Sequence, residues 1–408
     1  MSDFEKSGPR PQVSGAEGSP WRPHEEKETY NSVNDLDTRR LSAYFDDVVT
    51  QFPAERPTAS LLITHLLPER PVFVDAVAGL SDLRAVLPKP KSICPTALEA
   101  VERTAICDPL SRETFSDPAA VVAYLESRAA GLPVVLLDIG GYFAPSLSEI
   151  CDRFSGRVLG VVEDTENGHR RYAGPDKLPC PVISVARSPL KDPEDFLVGQ
   201  SVVFSTEALL RARGGILVGR KASVIGFGKL GSSIARLLHA KGVQVTVHDI
   251  DPVRGTQALS QGFSVAARLE DALEPADIAV CATGAKALRH DDFAMLKDGA
   301  YVATVTSAED ELEIERLPET YALTPAGDHI TRYSSSSRSF YLCNGGNAVN
   351  FLHGASVGPF IFLVQAEILA GLSRLSRGDL APGLHEISAQ DRAAIASTWL
   401  DHFNRRMS

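Results

Sequence analysis

The sequence predicts an α/β protein of open, mainly parallel sheets, on three observations. From about Leu41 onward, short β-branched and apolar runs alternate with stretches of helical periodicity. Such alternation builds βαβ units, with helices covering a parallel sheet. Several runs end in polar or glycine-rich residues, where open parallel sheets gather their functional groups. One run, Ala222 to Ile225, feeds a turn containing Gly226, Gly228 and Gly231, and a helical pattern follows.

The elements follow in order. Residues 1–35 are rich in Gly, Pro, Ser, Glu and Lys without apolar periodicity, and 1–40 is expected to be a mostly disordered tail. A first unit, 41–200, holds a strand at Ser60 to Thr64 and a helix at Ala119 to Ala130. Strands at Val134 to Leu137, Val158 to Val162 and Pro181 to Val185 complete it. Asp138-Ile139-Gly140-Gly141 and Glu163-Asp164 stand at two of the strand ends. A helix over Phe204 to Arg213 leads into a second unit, 201–350. That unit has strands at Ile278 to Ala282, ending in Thr283-Gly284, and at Tyr301 to Val305. Ser334 to Ser337 reads as a flexible loop. A strongly apolar helix, Gly358 to Leu375, opens a helical segment, 351–408. It is too hydrophobic to face water all round, and is expected at a domain or subunit interface. The chain is expected to cross between units near Val198 to Val203 and near Asn347 to Phe351.

At 408 residues the chain is long enough for two full cores. Its net charge of −11 argues against nucleic acid and anionic membrane as main partners. No apolar run reads as long enough to span a bilayer, since Gln365 and Glu367 interrupt the best one. The N-terminus has no signal-peptide core. Six cysteines without paired spacing suit reduced thiols in a cytoplasmic protein, and no metal site is expected.

Residues 222–252 carry the most specific signal. In a dinucleotide-binding turn the first glycine, here Gly226, permits the tight bend. The second, Gly228, lets the backbone approach a pyrophosphate, and the third, Gly231, allows close helix packing. Lys229 and Leu230 complete the turn, and the helix N-terminus favours phosphate. Asp249, ending the next strand, stands where a carboxylate binds a ribose diol, which favours NAD over NADP. Arg254 is the competing signal, because a basic residue there can serve a 2′-phosphate. Thr283, Gly284 and Asn344 are further cofactor candidates.

These pieces together resemble the S-adenosylhomocysteine hydrolase family from about residue 55 onward. VIGFGKLGSSIA, VHDIDP, ALSQGFSV, ADIAVCATG and LKDGAYVATV follow the family's order in the cofactor domain. VVLLDIGG, GVVEDTENG and LPCPVISVARSPLKDPEDFLVG follow its strand-end motifs in the first domain, and ITHLLPE its early histidine segment. The resemblance implies a Rossmann NAD-binding domain inserted in a larger α/β substrate domain, with a C-terminal helical oligomerisation element. It also implies tightly held NAD, a nucleoside-like small-molecule substrate and a homo-oligomer, dimer or tetramer.

Matched residue by residue, the groups that handle a sugar diol are kept. Lys191 matches the lysine beside the 3′-hydroxyl, and Asp195 the aspartate that binds the diol and interacts with that lysine. Asp164 replaces a glutamate, and Thr165, His65 and Glu69 are retained. Each also admits a structural role: Lys191 as a solvated lysine, Asp195 as a cap of a helix beginning near Phe196, His65 as a satisfied strand-end histidine, Asp164 as a loop acid. The groups that eliminate homocysteine and add water are largely absent. The acid before the paired glycines is Ile139, beside a retained Asp138. Phe196 and Gln200 replace an asparagine and a cysteine, and Ser307 or a neighbour replaces a histidine. Val349-Asn350-Phe351 replaces Gly-His-Pro, with His353 nearby. CPTALEA replaces a Thr-Gln-Asp run, and no lysine–tyrosine tail is recognisable in LDHFNRRMS.

The resemblance therefore implies a divergent, NAD-dependent relative that oxidises a secondary alcohol of the 3′-hydroxyl type on a nucleoside or related sugar diol. Two rivals stand beside it: an adenosylhomocysteinase with unusual substitutions, and a catalytically silent NAD-binding regulator.

Overall fold

The computed structural model describes residues 35–306, 311–354 and 357–404. Five parallel strands come first: β1 (Ala59–Leu66), β2 (Asp82–Ile93), β3 (Pro133–Asp138), β4 (Arg157–Glu163) and β5 (Pro181–Ser184). Eight follow: β6 (Lys221–Ile225), β7 (Gln244–His248), β8 (Ser264–Val265), β9 (Ile278–Cys281), β10 (Ala300–Thr304), β11 (Ala322–Pro325), β12 (Ile330–Ser334) and β13 (Ser339–Cys343). A last strand, β14 (Gly383–His385), returns to pair with β5.

The first sheet has the order β14-β5-β4-β3-β1-β2, all parallel. The second has the order β11-β12-β13-β10-β9-β6-β7-β8. Its parallel part, read from β8 to β13, is the doubly wound dinucleotide-binding order, and β11 and β12 extend it as antiparallel strands. Each sheet reverses winding direction once, at β1/β3 and at β6/β9. Ligands of open α/β sheets bind outside the strand ends at such points. Both central sets of strands are near-continuous apolar runs, because helices cover both faces.

The apolar helix is Ile361–Ser376, preceded by a short 3₁₀ turn at Gly358–Phe360. By length and composition, Gly358–Ser376 would suffice to cross a membrane, contrary to the sequence reading. Most of it is instead buried in the protein, against Leu159, Val162 and Ile183 of the first sheet and Tyr44, Phe45 and Val48 of the first helix. This is the core of the first unit rather than an interface between units. Glu367 interrupts the apolar run and is buried with Arg392 as its ion-pair partner.

Three further expectations change. The first helix begins at Asp35, inside the expected tail, because Leu41, Tyr44, Phe45 and Val48 form one buried stripe at helical spacing. Residues 1–34 lie outside the described residues. Ser334 to Ser337 is the end of β12 and a tight hairpin turn, closed by the Ser335 N–H donating to Arg338 O at 2.8 Å. The helix expected over Phe204 to Arg213 begins earlier, so that the first crossing between units falls within it. This continuous helix, Asp192–Ala212, carries Leu209 and Leu210 into the second core. A break there would leave buried backbone groups unpaired. The second crossing is the turn Val349–Gly354, which packs on the same helix.

That bridging helix passes very close to the helix Lys229–Ala240. A Cβ on Gly199 would meet Ser233 Oγ at 2.3 Å, while Ser233 Oγ donates to Phe196 O at 2.7 Å. Gly199→Ala is expected to destabilise the protein by roughly 1–3 kcal/mol in urea unfolding, as overpacking does. Adding Ser233→Gly should recover part of the loss. A double variant no more stable than Gly199→Ala would count against this close approach.

Candidate functional site

The glycine turn is built as the sequence requires. Gly226 sits at φ 94°, and a Cβ there would meet Ala282 O at 2.6 Å. A Cβ on Gly231 would meet Gly226 O at 1.9 Å, so the helix can lie against the strand only without one. Gly228 has open space before it, where a pyrophosphate would lie at the helix start. Leu230 turns into the core beneath, so only its backbone can serve a cofactor. Asp249 closes the turn from the next strand, accepting the Phe227 N–H at 2.6 Å and the Asp251 N–H at 2.8 Å.

At the far end of the crevice, Thr283 and Gly284 are held by Glu311, a buried carboxylate that the sequence reading missed. It accepts the Thr283 N–H at 3.0 Å, the Gly284 N–H at 2.8 Å and the Thr283 hydroxyl at 3.0 Å. Asn344 is in the left-handed region at φ 49° and donates through Nδ2 to Ala348 O at 3.0 Å. Two side-chain oxygens next to it, Asn347 Oδ1 and Asn350 Oδ1, are buried without a partner. Orphaned acceptors near the strand ends suit the amide group of a nicotinamide, and the open face of Gly228 suits its phosphates. The residues present fit NAD.

The first unit brings its charged groups to the same edge. Lys191 follows β5 in a short turn and is buried. Its Nζ donates to Asp164 Oδ1 at 3.0 Å and to Glu194 Oε2 at 3.1 Å. Burial pulls the Lys191 pKa down, but Asp164, Glu194 and Asp195 outweigh it and hold it well above the usual lysine value. Asp195 does not bond Lys191. It lies 3.7 Å from Lys229, which also pairs with Asp192 at 2.8 Å. The reason is helical geometry: Lys191 caps the helix, so the i+3 residue, Glu194, turns back to it. Asp195 is therefore in the first turn and is not the cap. Burial pushes the Glu194 carboxyl up to about 7 despite Lys191 beside it. That i,i+3 spacing is the signal by which Glu194 could have been found.

His65 ends β1, with Nδ1 bonded to Ser92 Oγ and its ring 5.5 Å from Phe351. Burial, with Lys89, Arg70 and Lys191 nearby, holds its pKa well below the usual histidine value, so it is neutral. Glu69 precedes the helix Arg70–Leu80 and lies 3.8 Å from Arg70. His353 faces His329, 6.3 Å ring to ring, on the second unit. The Ser307 position lies outside the described residues.

Asp138, expected to touch substrate, has a different task. It is buried and accepts the N–H groups of Ile139, Tyr142 and Phe143 and the Tyr172 hydroxyl at 2.8–3.1 Å and 2.5 Å. Its lone pairs are spent on shaping the loop after β3. Thr165 likewise caps the helix Glu166–Ala173, accepting the Gly168 N–H at 3.1 Å, and donates to Glu163 at 2.7 Å. The two units touch here as well. Arg170 donates to Thr283 O at 3.3 Å, and a Cβ on Gly284 would meet Asn167 Oδ1 at 2.5 Å.

Residues 199–352 match the family described as S-adenosyl-L-homocysteine hydrolase, NAD binding domain. Among solved structures, a phosphoglycerate oxidoreductase from Vibrio cholerae is 15% identical, covering 62% of this chain and 76% of that one at a TM-score of 0.37. An NADPH-dependent glyoxylate/hydroxypyruvate reductase from Sinorhizobium meliloti is 18% identical, over 61% and 71%, at 0.34. A D-lactate dehydrogenase from Escherichia coli is 16% identical, over 54% and 74%, at 0.33. Scores this low have no bearing on activity.

Asp249→Ala removes a carboxylate from both the turn and the ribose position. NAD binding, followed by calorimetry, is expected to weaken by roughly 1–3 kcal/mol, and the preference over NADP should shrink. Wild-type protein that binds NADP as tightly as NAD would overturn this role.

Proposed function

We propose that the protein is an NAD-dependent oxidoreductase, from the premise that residues 199–352 match the S-adenosyl-L-homocysteine hydrolase NAD-binding-domain family. Its reaction is the oxidation of a secondary alcohol, of the 3′-hydroxyl type, on a nucleoside or related sugar diol. The observation that carries this is the buried Lys191, bonded to Asp164 and Glu194 at 3.0 and 3.1 Å. Lys229, in the dinucleotide turn, joins the same segment through Asp192 and Ser188 O.

NAD, when bound, supplies the two-electron acceptor for the alcohol carbon. The chain's own part is the proton. Lys191 is held protonated, so it cannot act alone as a base. It can donate a hydrogen bond to the alcohol oxygen and pass a proton to Glu194 while receiving the hydroxyl proton. A carboxyl pushed up to about 7 is matched to that task at neutral pH. Asp164 keeps the ammonium aimed. Neutral His65 can accept or donate one hydrogen bond beside it without adding charge.

Homocysteine elimination has less support. Ile139 exchanges no proton, Asp138 is committed to its loop, and His353 faces His329. The homo-oligomer that the resemblance implies belongs to the same proposal, and light scattering tests it.

The activity test incubates NAD-loaded protein with adenosine, S-adenosylhomocysteine and related nucleosides, following NADH absorbance and free homocysteine separately. NADH should form with a diol, Lys191→Ala should abolish it, and homocysteine release should be slow. Efficient homocysteine release would favour the hydrolase instead. No NADH with any diol, with ligand binding unchanged in Lys191→Ala, would favour a silent regulator.

The pH dependence gives a separate check. Below about 7 Glu194 holds a proton and cannot accept another; above it the carboxylate is free. kcat/KM should therefore rise with pH through about 7. Glu194→Gln should lose that limb and about 100- to 10,000-fold in rate. An unchanged limb in that variant would remove Glu194 from the proton path.

A further inference from the structure

One buried carboxylate of the second unit takes no part in the proton path at Lys191. Glu311 is fully buried. Its Oε1 accepts the Thr283 N–H at 3.0 Å and the Gly284 N–H at 2.8 Å, and its Oε2 accepts the Thr283 hydroxyl at 3.0 Å. Its main-chain oxygen takes the Ala287 N–H at 2.8 Å, which fixes the residue to the far side of the same loop. Burial pushes the carboxyl above its ordinary pKa, and the bonds from Gly284 and Thr283 work against that. Backbone N–H groups can only donate, so Oε1 carries no proton, and donors at these distances favour the ionised form.

The loop that Glu311 holds is a wall of the cofactor crevice. It follows β9, which lies between β6 and β10 in the second sheet. A Cβ on Gly226, the first glycine of the turn, would lie 2.6 Å from Ala282 O and 3.1 Å from Thr283 Cα. A dinucleotide crosses a doubly wound sheet at the switch point, with one half on each side. Asp249, at the end of β7, marks the adenosine side, so β9 and β10 carry the nicotinamide side. Asn347, with its orphaned oxygen, stands on that side too, because Thr304 at the end of β10 pairs with Ala348.

The charge of Glu311 acts through protein rather than water. It already helps hold the thiol of the buried Cys281, in β9, well above its usual pKa. The cations of the region are of another kind. Lys286, in the same loop, donates to Leu312 O at 2.7 Å, and Arg170, from the first unit, donates to Thr283 O at 3.3 Å. Both residues are exposed, so water and salt screen them far more than they screen Glu311.

We propose that Glu311 sets the redox preference of the bound cofactor, its negative charge favouring the oxidised nicotinamide, which is cationic, over the reduced one, which is neutral. Uptake of a hydride, one proton with two electrons, removes the positive charge of the ring and with it the attraction to the carboxylate. Return of the hydride restores both, so the oxidised form is the resting form. This rests on the oxidoreductase reading for the use made of NAD; the affinity ratio itself is a property of binding alone.

The test is calorimetry of NAD and of NADH binding to the full chain stripped of cofactor, wild type against Glu311→Gln, which keeps the size of the side chain. Taking the ratio of the two affinities cancels whatever the substitution does to the loop as a whole. The ratio is expected to move about tenfold toward NADH, the order set by one charge at an effective dielectric constant of about 20. Glu311→Asp keeps the charge and should stay within about threefold of the wild-type ratio. It also keeps the test decisive if Glu311→Gln does not fold, since a tenfold shift in the aspartate variant would overturn the proposal. An unchanged ratio in Glu311→Gln would overturn it as well, whether both affinities fall together, as for a simple loop anchor, or neither falls, as for a neutral Glu311 that donates to the Thr283 hydroxyl. NADH formation from diols by the wild type separates the two readings. A shifted ratio without NADH from any diol would leave the role of Glu311 and remove alcohol oxidation. NADH from a diol with an unshifted ratio would do the reverse.

Discussion

The site depends first on Glu163. This fully buried carboxylate ends β4 and accepts bonds from the N–H groups of Gly140, Gly141 and Thr165 and from the Thr165 hydroxyl. Burial and the neighbouring Asp138 push its pKa up to about 8, so the pair resists carrying two full charges. Saturating it with donors is what makes its burial tolerable. The cost appears elsewhere: Gly168 has to be glycine, since a Cβ there would lie 2.0 Å from the Glu163 carboxyl carbon. With Glu163 turned inward, its neighbour Asp164 reaches Lys191, and the β3 loop presents the Gly140 carbonyl to Arg112 and Arg171. One inward carboxylate thus positions both the Lys191 ion pair and the loop that the two guanidinium groups hold.

The second constraint is how the two sheets bring their strand ends together. Each sheet places its winding reversal at the ends that carry polar groups, and the chain joins them by a stiff helix on one side and a short turn on the other. Lys229 belongs to the dinucleotide turn yet is bonded to Ser188 O and Asp192, in the segment that carries Lys191. The helix start that would face cofactor phosphates is therefore tied directly to the segment that carries Lys191.

Much of this was legible in the sequence, for specific reasons. The glycine turn and Asp249 are local, because Gly226 and Gly231 each answer a clash with neighbouring backbone while Gly228 leaves space open at the helix start. The parallel strands were legible because they are buried on both faces and read as continuous apolar runs. β2 was not, since Pro88 and Pro90 break its pattern at the bulge. The hairpin strands β11 and β12 were missed because β11 is exposed throughout and has no apolar alternation. Lys191 and Asp164 were found through the resemblance, but the partner of Lys191 was assigned one residue late. Glu163 and Asp138 look like ordinary strand-end acids in the sequence, and Glu311 like one acid of an acidic run. Only the fold shows that their oxygens face inward, those of Glu163 and Glu311 onto backbone N–H groups distant in sequence and those of Asp138 onto the loop that follows it.

The contact between Arg170 and Thr283, and that between Lys229 and Asp192, have one property in common. Both hold the seam between the units, and their charged members are substantially open to water: Arg170 at 50%, Lys229 at 40% and Asp192 at 61% of their side-chain surface. Contacts of that kind are weak individually and are screened by dissolved salt, whereas buried packing is not. Parting the seam to exchange small molecules would therefore cost less as ionic strength rises, while the two cores on either side stay as they are. The salt concentration around the molecule would then set how readily the seam parts.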